Sequence, residues 1–195
     1  MNSTSLRSFT GLRALTGSLL ALVSLSACTT LAQTEDRAAA APNWDMPHIK
    51  RPNLVVADID RSLVIYRDVL GLGASDVRDG SKGSYSYPVF KVPGSADFRF
   101  VSLHEPSEQR VLNLTEVTGM DLPRPDNAPH MSAVVIGIDD LVGKFAKLEA
   151  MGLEIVEPRV SEGADFKFIE QAFVDPDGHL IVCYQIVDKD FSIGG

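Results

Sequence analysis

Histidine and cysteine are the side chains of this sequence best suited to acid–base catalysis, nucleophilic attack or transition-metal binding. The chain has four histidines and two cysteines. His130 opens an apolar segment that predicts a strand, whereas His104 ends its strand in LHEPSEQ and His179 directly follows a tight turn. Cys183 lies in the apolar run LIVCYQI, where a thiol usually packs as a small hydrophobic group. The pKa of histidine suits a general base, but no second acid or nucleophile is evident for His130 to work with.

An internal repeat supplies the elements that must position these residues. LVVADIDRSLVIYRDVLGL at 54–72 is similar to AVVIGIDDLVGKFAKLEAMGL at 133–153. Each copy begins with an apolar strand, passes through Ile-Asp at a helix start and ends in Gly-Leu. The offset is 79 residues at the strand (54 to 133) and 81 at the glycine (71 to 152), which predicts that the second helix is longer by two residues.

Both predicted helices have a start signal, an apolar stripe and a stop. In the first, Leu63, Tyr66 and Leu70 recur at helical spacing, Asp60 is the candidate N-cap and Gly71 can supply the left-handed end. The second repeats this scheme with Leu141, Phe145, Leu148, Asp139 and Gly152. Strand-like segments follow at 73–78, 98–104 and 110–117, and then at 153–157, 167–174 and 179–187. Each half therefore reads strand, helix, strand, strand, strand.

The first half also contains an insertion, DGSKGSYSYPVFKVPGSAD at 79–97, which is rich in glycine, serine, proline and aromatic residues. It is too polar for a core segment and too aromatic for a plain linker. One interpretation is a loop that folds over a cavity. The other is an ordered surface loop with Tyr85, Tyr87 and Phe90 packed on the domain.

The helix DIDRSLVIYRDVLGL, the repeat, and the late turn DPDG at 175–178 before an apolar strand together resemble the vicinal oxygen chelate superfamily. This family includes glyoxalase I, the fosfomycin- and bleomycin-resistance proteins and the extradiol dioxygenases. The resemblance spans about residues 51–187 and implies an α+β fold, in which two βαβββ modules pair to form a concave, barrel-like groove. In metal-dependent members, side chains at four inward-facing strand positions hold a divalent ion. Oxygen atoms of the substrate complete the coordination shell of that ion.

The resemblance places those four positions at Arg51, Asn113, His130 and Val182. Arginine cannot donate an electron pair, asparagine is a poor ligand for zinc, nickel or iron, and valine has no donor atom. His130 alone fits. Glu116 and His179 would need a one-residue shift of register, which turns a strand side chain to the opposite face. We therefore expect no metal and no other cofactor.

A donor-rich centre is the alternative use of the same positions. The resemblance implies that Arg51 and His130 approach each other across the groove, where with the amide of Asn113 they could bind a carboxylate, phosphonate or other oxyanion. Tyr85 and Tyr87 are the other candidate substrate-binding residues. In a second interpretation, Arg51 pairs with an acid such as Glu116 or Glu170 and fills space.

The N-terminus has the layout of a secretory signal peptide. Arg7 and Arg13 precede the apolar run 14–25, which ends in LSAC at 25–28. LSAC resembles the bacterial lipobox, in which the cysteine, here Cys28, is lipidated and becomes the first mature residue. An ordinary signal peptide with an incidental cysteine is the alternative. The predicted organisation is a signal peptide at 1–27, a lipidated cysteine and flexible tether at 28–50, a domain at 51–190 with modules at about 51–119 and 128–190, and a tail at 191–195.

Charge excludes one class of function. The formal net charge is −8 and no basic run follows residue 13, so a nucleic-acid partner is not expected. Three hypotheses remain. The first is a lipid-anchored protein of the bacterial envelope that binds a small molecule, and the second is a glyoxalase-like lyase or dioxygenase relative in which His130 is the base and Arg51 donates hydrogen bonds to an oxyanion. The third is a structural or interaction protein of the envelope. The partners expected are a small-molecule ligand and a membrane; monomer and module-sharing homodimer both stay open.

Overall fold

Two sheets of five strands, each with its own helix, make up the described part of the chain. A computed structural model describes residues 49–123, 129–163 and 166–193. The predicted signal peptide, Cys28 and most of the predicted tether lie outside these ranges. No helix within them is long and apolar enough to span a membrane.

The first module contains five strands and two helices, with the sheet order β1-β5-β4-β2 and β3 also paired to β4. Strands β1 and β5 are parallel, and the other pairs are antiparallel. The elements are β1 (Asn53–Val56), α1 (Ile59–Leu63, continuing as a π-helical turn over Val64–Val69), β2 (Gly73–Ala74), β3 (Arg78–Asp79), α2 (Ser86–Phe90), β4 (Asp97–His104) and β5 (Leu112–Thr118).

The second module repeats this arrangement, with the order β6-β10-β9-β7 and β8 paired to β9. Its elements are β6 (Val134–Gly137), α3 (Leu141–Ala150), β7 (Glu154–Ile155), β8 (Arg159–Glu162), β9 (Lys167–Val174) and β10 (Leu180–Val187). The prediction of an α+β fold with two βαβββ-like modules is confirmed. The sheets do not close into a barrel in the described ranges. The segment predicted as one strand at 73–78 is divided between β2 and β3, and the segment predicted at 153–157 is shortened to β7, with β8 after it.

The helices have the predicted apolar stripes but different caps. Both stripes are buried. In α1 the cap is Asp58, whose carboxylate accepts from the backbone N–H of Arg61 at 3.0 Å, while Asp60 lies within the helix. In α3 the cap is Asp140, which accepts from Gly143 at 3.2 Å, while Asp139 pairs with Lys144. The predicted caps Asp60 and Asp139 are therefore wrong, because in each helix another aspartate, Asp58 or Asp140, stands directly before the first helical residue.

The observed caps also correct the predicted helix lengths. From cap to positive-φ glycine, α1 spans 13 residues (71 − 58) and α3 spans 12 (152 − 140). The first helix is thus the longer one. Its extra residue is absorbed by the π-helical turn, where the N–H of Leu70 donates to the carbonyl of Ile65, five residues back, at 2.9 Å.

One continuous apolar core joins the modules. It contains Tyr66 of the first helix and Phe145 of the second, with strand residues of both sheets such as Leu114, Phe173 and Ile181. The helices also meet directly, because the ammonium of Lys144 donates to the carbonyl of Leu70 at 3.0 Å. Burial on this scale fixes both sheets relative to the helices, so strand positions that face away from the core are held in place.

Candidate functional site

The face of the first sheet that turns away from α1 carries a cavity of about 370 Å³, here called the α2 cavity. Alternate residues of a strand face opposite sides, so Asn53 on β1 and Asn113 and Thr115 on β5 share this face. Helix α2 and the side chains of Phe90 and Phe100 form its apolar wall. Lys50, Arg51, Tyr85, Ser86 and Val89 complete the lining.

The insertion at 79–97 has one part packed on the domain and another part at a cavity, so each of its two interpretations applies to a different part. Tyr87 is buried, with its ring edge-on to Phe98 at 4.7 Å and its hydroxyl donating to the carbonyl of Ala96 at 2.9 Å. It therefore packs the insertion onto the sheet and does not line the cavity. Tyr85 is 81% exposed and lies at the cavity wall.

The two asparagines of the cavity are held as hydrogen-bond donors. Thr115 Oγ1 donates to Asn53 Oδ1 at 2.9 Å, and Ser102 Oγ donates to Asn113 Oδ1 at 2.8 Å. With each Oδ1 already accepting, the Nδ2 amide of each asparagine remains to donate to another group. The Oδ1 of Asn113 is also the one atom of that residue suited to bind a metal ion, and it is engaged by Ser102.

Arg51 lines the same cavity as these amides, and one nitrogen of its guanidinium has no hydrogen-bond partner among the described residues. Its Nη1 atom is buried and makes no hydrogen bond within the described ranges. The predicted pairing with Glu116 does not occur, since Glu116 faces the helix side of the sheet and bonds to Arg99 at 2.6 Å and to the N–H of Ile59 at 2.8 Å. Two cations and no carboxylate stand among the described residues that line the α2 cavity.

Strand register locates the position in the second module that corresponds to Arg51. In the first sheet Asn113 pairs with Asn53, two residues after Arg51. In the second sheet Val182 pairs with Val135, two residues after Ala133. The equivalent of Arg51 is therefore Ala133, at an offset of 82 residues (133 − 51), which is also the offset between the helix caps (140 − 58). His130 lies three residues earlier.

His130 is exposed and lines a different cavity, of about 430 Å³, together with Asn53 and His179. Arg51 does not line that cavity, so the structure does not bring Arg51 and His130 into one site as the sequence predicted. Asn113, Arg51 and Tyr85 do line one cavity. In the described ranges, no three His, Cys, Asp or Glu side chains form a group that could hold a metal ion.

The DPDG turn at 175–178, here called the Asp175 turn, joins the two modules. Asp175 is buried, accepts from the hydroxyl of Tyr66 at 2.8 Å and accepts from two backbone N–H groups of its own turn, those of Asp177 and His179. Asp177 in turn accepts from Arg61 at 2.8 Å and from the N–H of Ala57 at 3.0 Å. These bonds connect the second sheet to α1 and to the end of β1.

The thiol of Cys183 takes no part in any of these cavities. It is buried in the core, and desolvation raises its pKa to about 12. A thiol with that pKa is not a nucleophile near neutral pH, so the structural role predicted for Cys183 agrees with its surroundings.

A sequence profile described as "Glyoxalase/Bleomycin resistance protein/Dioxygenase superfamily" matches residues 46–183. The chain belongs to this superfamily. A "Probable lactoylglutathione lyase" of Synechocystis sp. (strain ATCC 27184 / PCC 6803 / Kazusa) is 26% identical over 137 residues, covering 69% of this chain and 92% of that protein.

The superfamily fold has a counterpart among solved structures. A glyoxalase family protein from Bacillus cereus has a TM-score of 0.56 at 14% identity, covering 76% of this chain and 99% of that one. The trypanothione-dependent glyoxalase I of Leishmania major has a TM-score of 0.47 at 20% identity, covering 71% and 87%. At 14% identity, the likeness to the Bacillus cereus protein concerns the fold.

Sequence reasoning missed three residues of the α2 cavity and its supporting bonds: Asn53, Ser102 and Thr115. Asn53 and Thr115 do have a sequence signal, because each lies two residues from a predicted site position and so shares its face of the strand. Ser102 has none, since its contact with Asn113 depends on which strands pair. The Ala133 position was missed because the similarity of the two copies was aligned on their apolar residues.

Proposed function

We propose that this superfamily domain binds a small anionic molecule in the α2 cavity and does so without a metal ion. The observation that carries the proposal is the buried, unpartnered Nη1 of Arg51. Burying a charged group without a hydrogen-bond partner costs free energy, and such groups normally pair or bind a ligand. A bound carboxylate or phosphonate would supply the missing partner.

The surroundings of Arg51 support an anion over a neutral ligand. Lys50 adds a second positive charge, and the Nδ2 groups of Asn53 and Asn113 add neutral donors. Arginine with neighbouring amides is well suited to bind the paired oxygens of a carboxylate. The rings of Phe90 and Phe100 offer an apolar wall for the rest of a small ligand.

The donor set is a poor fit for the metal that the superfamily resemblance implies. The corresponding positions, taken by strand register, are Arg51, Asn113, Ala133 and Val182. Two have no donor atom, one carries a permanent positive charge, and the fourth has its oxygen engaged by Ser102. Replacement of the metal by the charge of Arg51 is thus part of the proposal.

The lyase alternative receives less support than the binding protein. His130, the proposed base, lines a cavity whose lining does not include Arg51. A general base has to lie within hydrogen-bond reach of the proton that it removes, directly or through one water molecule. The open α2 cavity, of a size typical of small-ligand sites, equally disfavours a purely structural role.

Arg51→Gln in the full chain is expected to weaken binding of benzoate and methylphosphonate by at least about tenfold in Kd, measured by isothermal titration calorimetry. Benzamide, the uncharged analogue of benzoate, should bind neither protein. The matched control is Arg78→Gln, an exposed arginine of β3 outside the α2 cavity, which should bind like the wild type.

Thermal unfolding separates this role from a structural one. Because Nη1 has no partner, Arg51→Gln should unfold at the same temperature as the wild type or higher. A large drop in unfolding temperature, with anion binding unchanged, would contradict the proposal. Stoichiometric zinc, nickel or iron in the purified wild-type protein, measured by mass spectrometry, would overturn its metal-free part.

We further propose that Cys28 anchors the chain to the bacterial cell envelope, on the support of the signal-peptide layout and the LSAC sequence at 25–28. Full-length protein expressed in bacteria should then enter the detergent phase on Triton X-114 partition. Cys28→Ser should move it to the aqueous phase, while Cys183→Ser, the control, should not. Equal partition of the wild type and Cys28→Ser would contradict the anchor.

A further inference from the structure

The modules have two boundaries with each other, here called seams, and the two seams differ. At one seam the free edge of β1 is covered by the Asp175 turn, where His179 Nε2 lies 2.8 Å from the carbonyl of Val55 and Asp177 accepts from the N–H of Ala57 at 3.0 Å. At the other seam, β6 pairs with β10 on one side only. A cavity of about 1170 Å³, here called the inter-module cleft, is lined by β6 and part of β10 together with residues of the first module.

The lining of the inter-module cleft is mainly aliphatic. Leu72 and Leu112 of the first module face Val135, Ile136 and Ile186 of the second across it. Val135 and Ile186 are 61% and 62% exposed, although they lie on strands. Apolar side chains exposed together in a concave surface commonly mark a ligand or partner site.

Arg51 connects this cleft to the anion site, because it lines both the inter-module cleft and the α2 cavity. An anionic group bound by Arg51 therefore has two directions for the rest of its molecule. The α2 cavity holds a small group beside polar side chains. The inter-module cleft is about three times larger (1170 against 370 Å³) and apolar.

The acids at the cleft restrict the charge of its occupant. Glu105 and Asp139 belong to the lining, and Asp139 is paired with Lys144. A second anionic group in the cleft would meet the carboxylate of Glu105, where like charges repel. The occupant that fits has one anionic group, at Arg51, and an uncharged apolar chain.

We propose that the inter-module cleft binds the alkyl chain of an amphipathic monocarboxylate whose head group is held by Arg51. The proposal rests on the anion binding proposed above and names the class of ligand. Burial of an alkyl chain stabilises the complex by about 0.8 kcal/mol per methylene, which is about fourfold in Kd. The chain length of the ligand should therefore control its affinity.

Octanoate, acetate and octan-1-ol test this with the full-length protein by isothermal titration calorimetry. Octanoate should bind at least about a hundredfold more tightly than acetate, since its longer chain is buried. Octan-1-ol should bind at least about tenfold more weakly than octanoate, because it lacks the charge that Arg51 pairs with. Octan-1-ol binding as tightly as octanoate would overturn the proposed role of Arg51 in this complex.

Val135→Glu places a charge in the cleft and should weaken octanoate binding by at least about tenfold, without affecting benzoate. Val160→Glu is the matched control, a partly exposed valine of β8 outside both cavities, and should bind octanoate like the wild type. If acetate and octanoate bind equally, or Val135→Glu has no effect, the cleft proposal is wrong.

The outcomes separate the two proposals. Arg51-dependent binding of benzoate with no effect of alkyl chain length would leave the anion site standing and overturn the cleft. If Arg51→Gln binds benzoate and octanoate like the wild type, both proposals are wrong. Sedimentation velocity tests whether the cleft binds a second copy of the chain instead. If the wild type is a dimer and Val135→Glu is a monomer, the cleft binds a second copy and the proposal of an amphipathic monocarboxylate is wrong.

Discussion

Replacement of Asp175 by alanine is expected to lower the free energy of unfolding by about 3 kcal/mol or more, because it leaves one buried and two half-buried donors without an acceptor. The carboxylate accepts from the hydroxyl of Tyr66 and from the backbone N–H groups of Asp177 and His179. Burial and the neighbouring carboxylate raise the pKa of Tyr66 well above its ordinary value, so its phenol stays protonated as a donor. Urea denaturation followed by circular dichroism measures the loss.

Asp68→Ala is the control for this change. Asp68 is exposed and pairs with Arg67 on the surface at 2.7 Å, so its removal should leave stability measurably unchanged. Tyr66→Phe removes one of the bonds to Asp175 and should lose less than Asp175→Ala. If Asp175→Ala is as stable as Asp68→Ala, the interpretation that the Asp175 turn joins the two modules is wrong.

Glu116→Gln is expected to lower the free energy of unfolding by about 2 kcal/mol at pH 7. Glu116 is only 3% exposed, and its charged carboxylate accepts hydrogen bonds from two partners. Its carboxylate accepts from Arg99 and from the first backbone N–H of α1, at Ile59. Burial by itself raises the pKa of Glu116, but the hydrogen bonds from those two partners and the charge of Arg99 outweigh it, so the pKa lies below its ordinary value.

The sign of the pH dependence follows from that lowered pKa. A carboxylate with a depressed pKa in the folded state stabilises the fold above its unfolded pKa of about 4.3, and loses this contribution as pH falls through the folded value. The difference in unfolding free energy between wild type and Glu116→Gln should therefore be full at pH 7 and shrink below about pH 4. Urea titrations at pH 7 and pH 3 measure it, with Glu154→Gln, an exposed strand residue, as the control at pH 7. A difference that stays constant between those pH values would contradict the ionic role of Glu116.

Local patterns were sufficient to predict the modules. The spacing of Leu63, Tyr66 and Leu70 predicted the buried face of α1, and the glycine stops at Gly71 and Gly152 both have the expected positive φ, of 92° and 77°. These features depend on residues within a few turns of one another. The choice between neighbouring cap aspartates does not, because it depends on where the preceding strand ends.

The candidate site was harder to predict because it is assembled from distant residues. The bond between Tyr66 and Asp175 spans 109 residues, and no local pattern signals it. The site position equivalent to Arg51 depends on the pairing of Val135 with Val182, which fixes Ala133. Sequence similarity between the copies instead placed it at His130. The departure of the site from a metal-binding donor set was nevertheless evident from Arg51, Asn113 and Val182 alone.

The π-helical turn of α1 has a consequence for how the domain tolerates change in chain length. One additional residue between Asp58 and Gly71 is taken up inside the helix, while the offset of 82 residues is the same at the strands and at the caps. Because the extra residue follows the cap of α1, it leaves the correspondence between Arg51 and Ala133 unchanged. Side-chain chemistry at Arg51 and Ala133 can therefore diversify without any adjustment of the backbone that carries it.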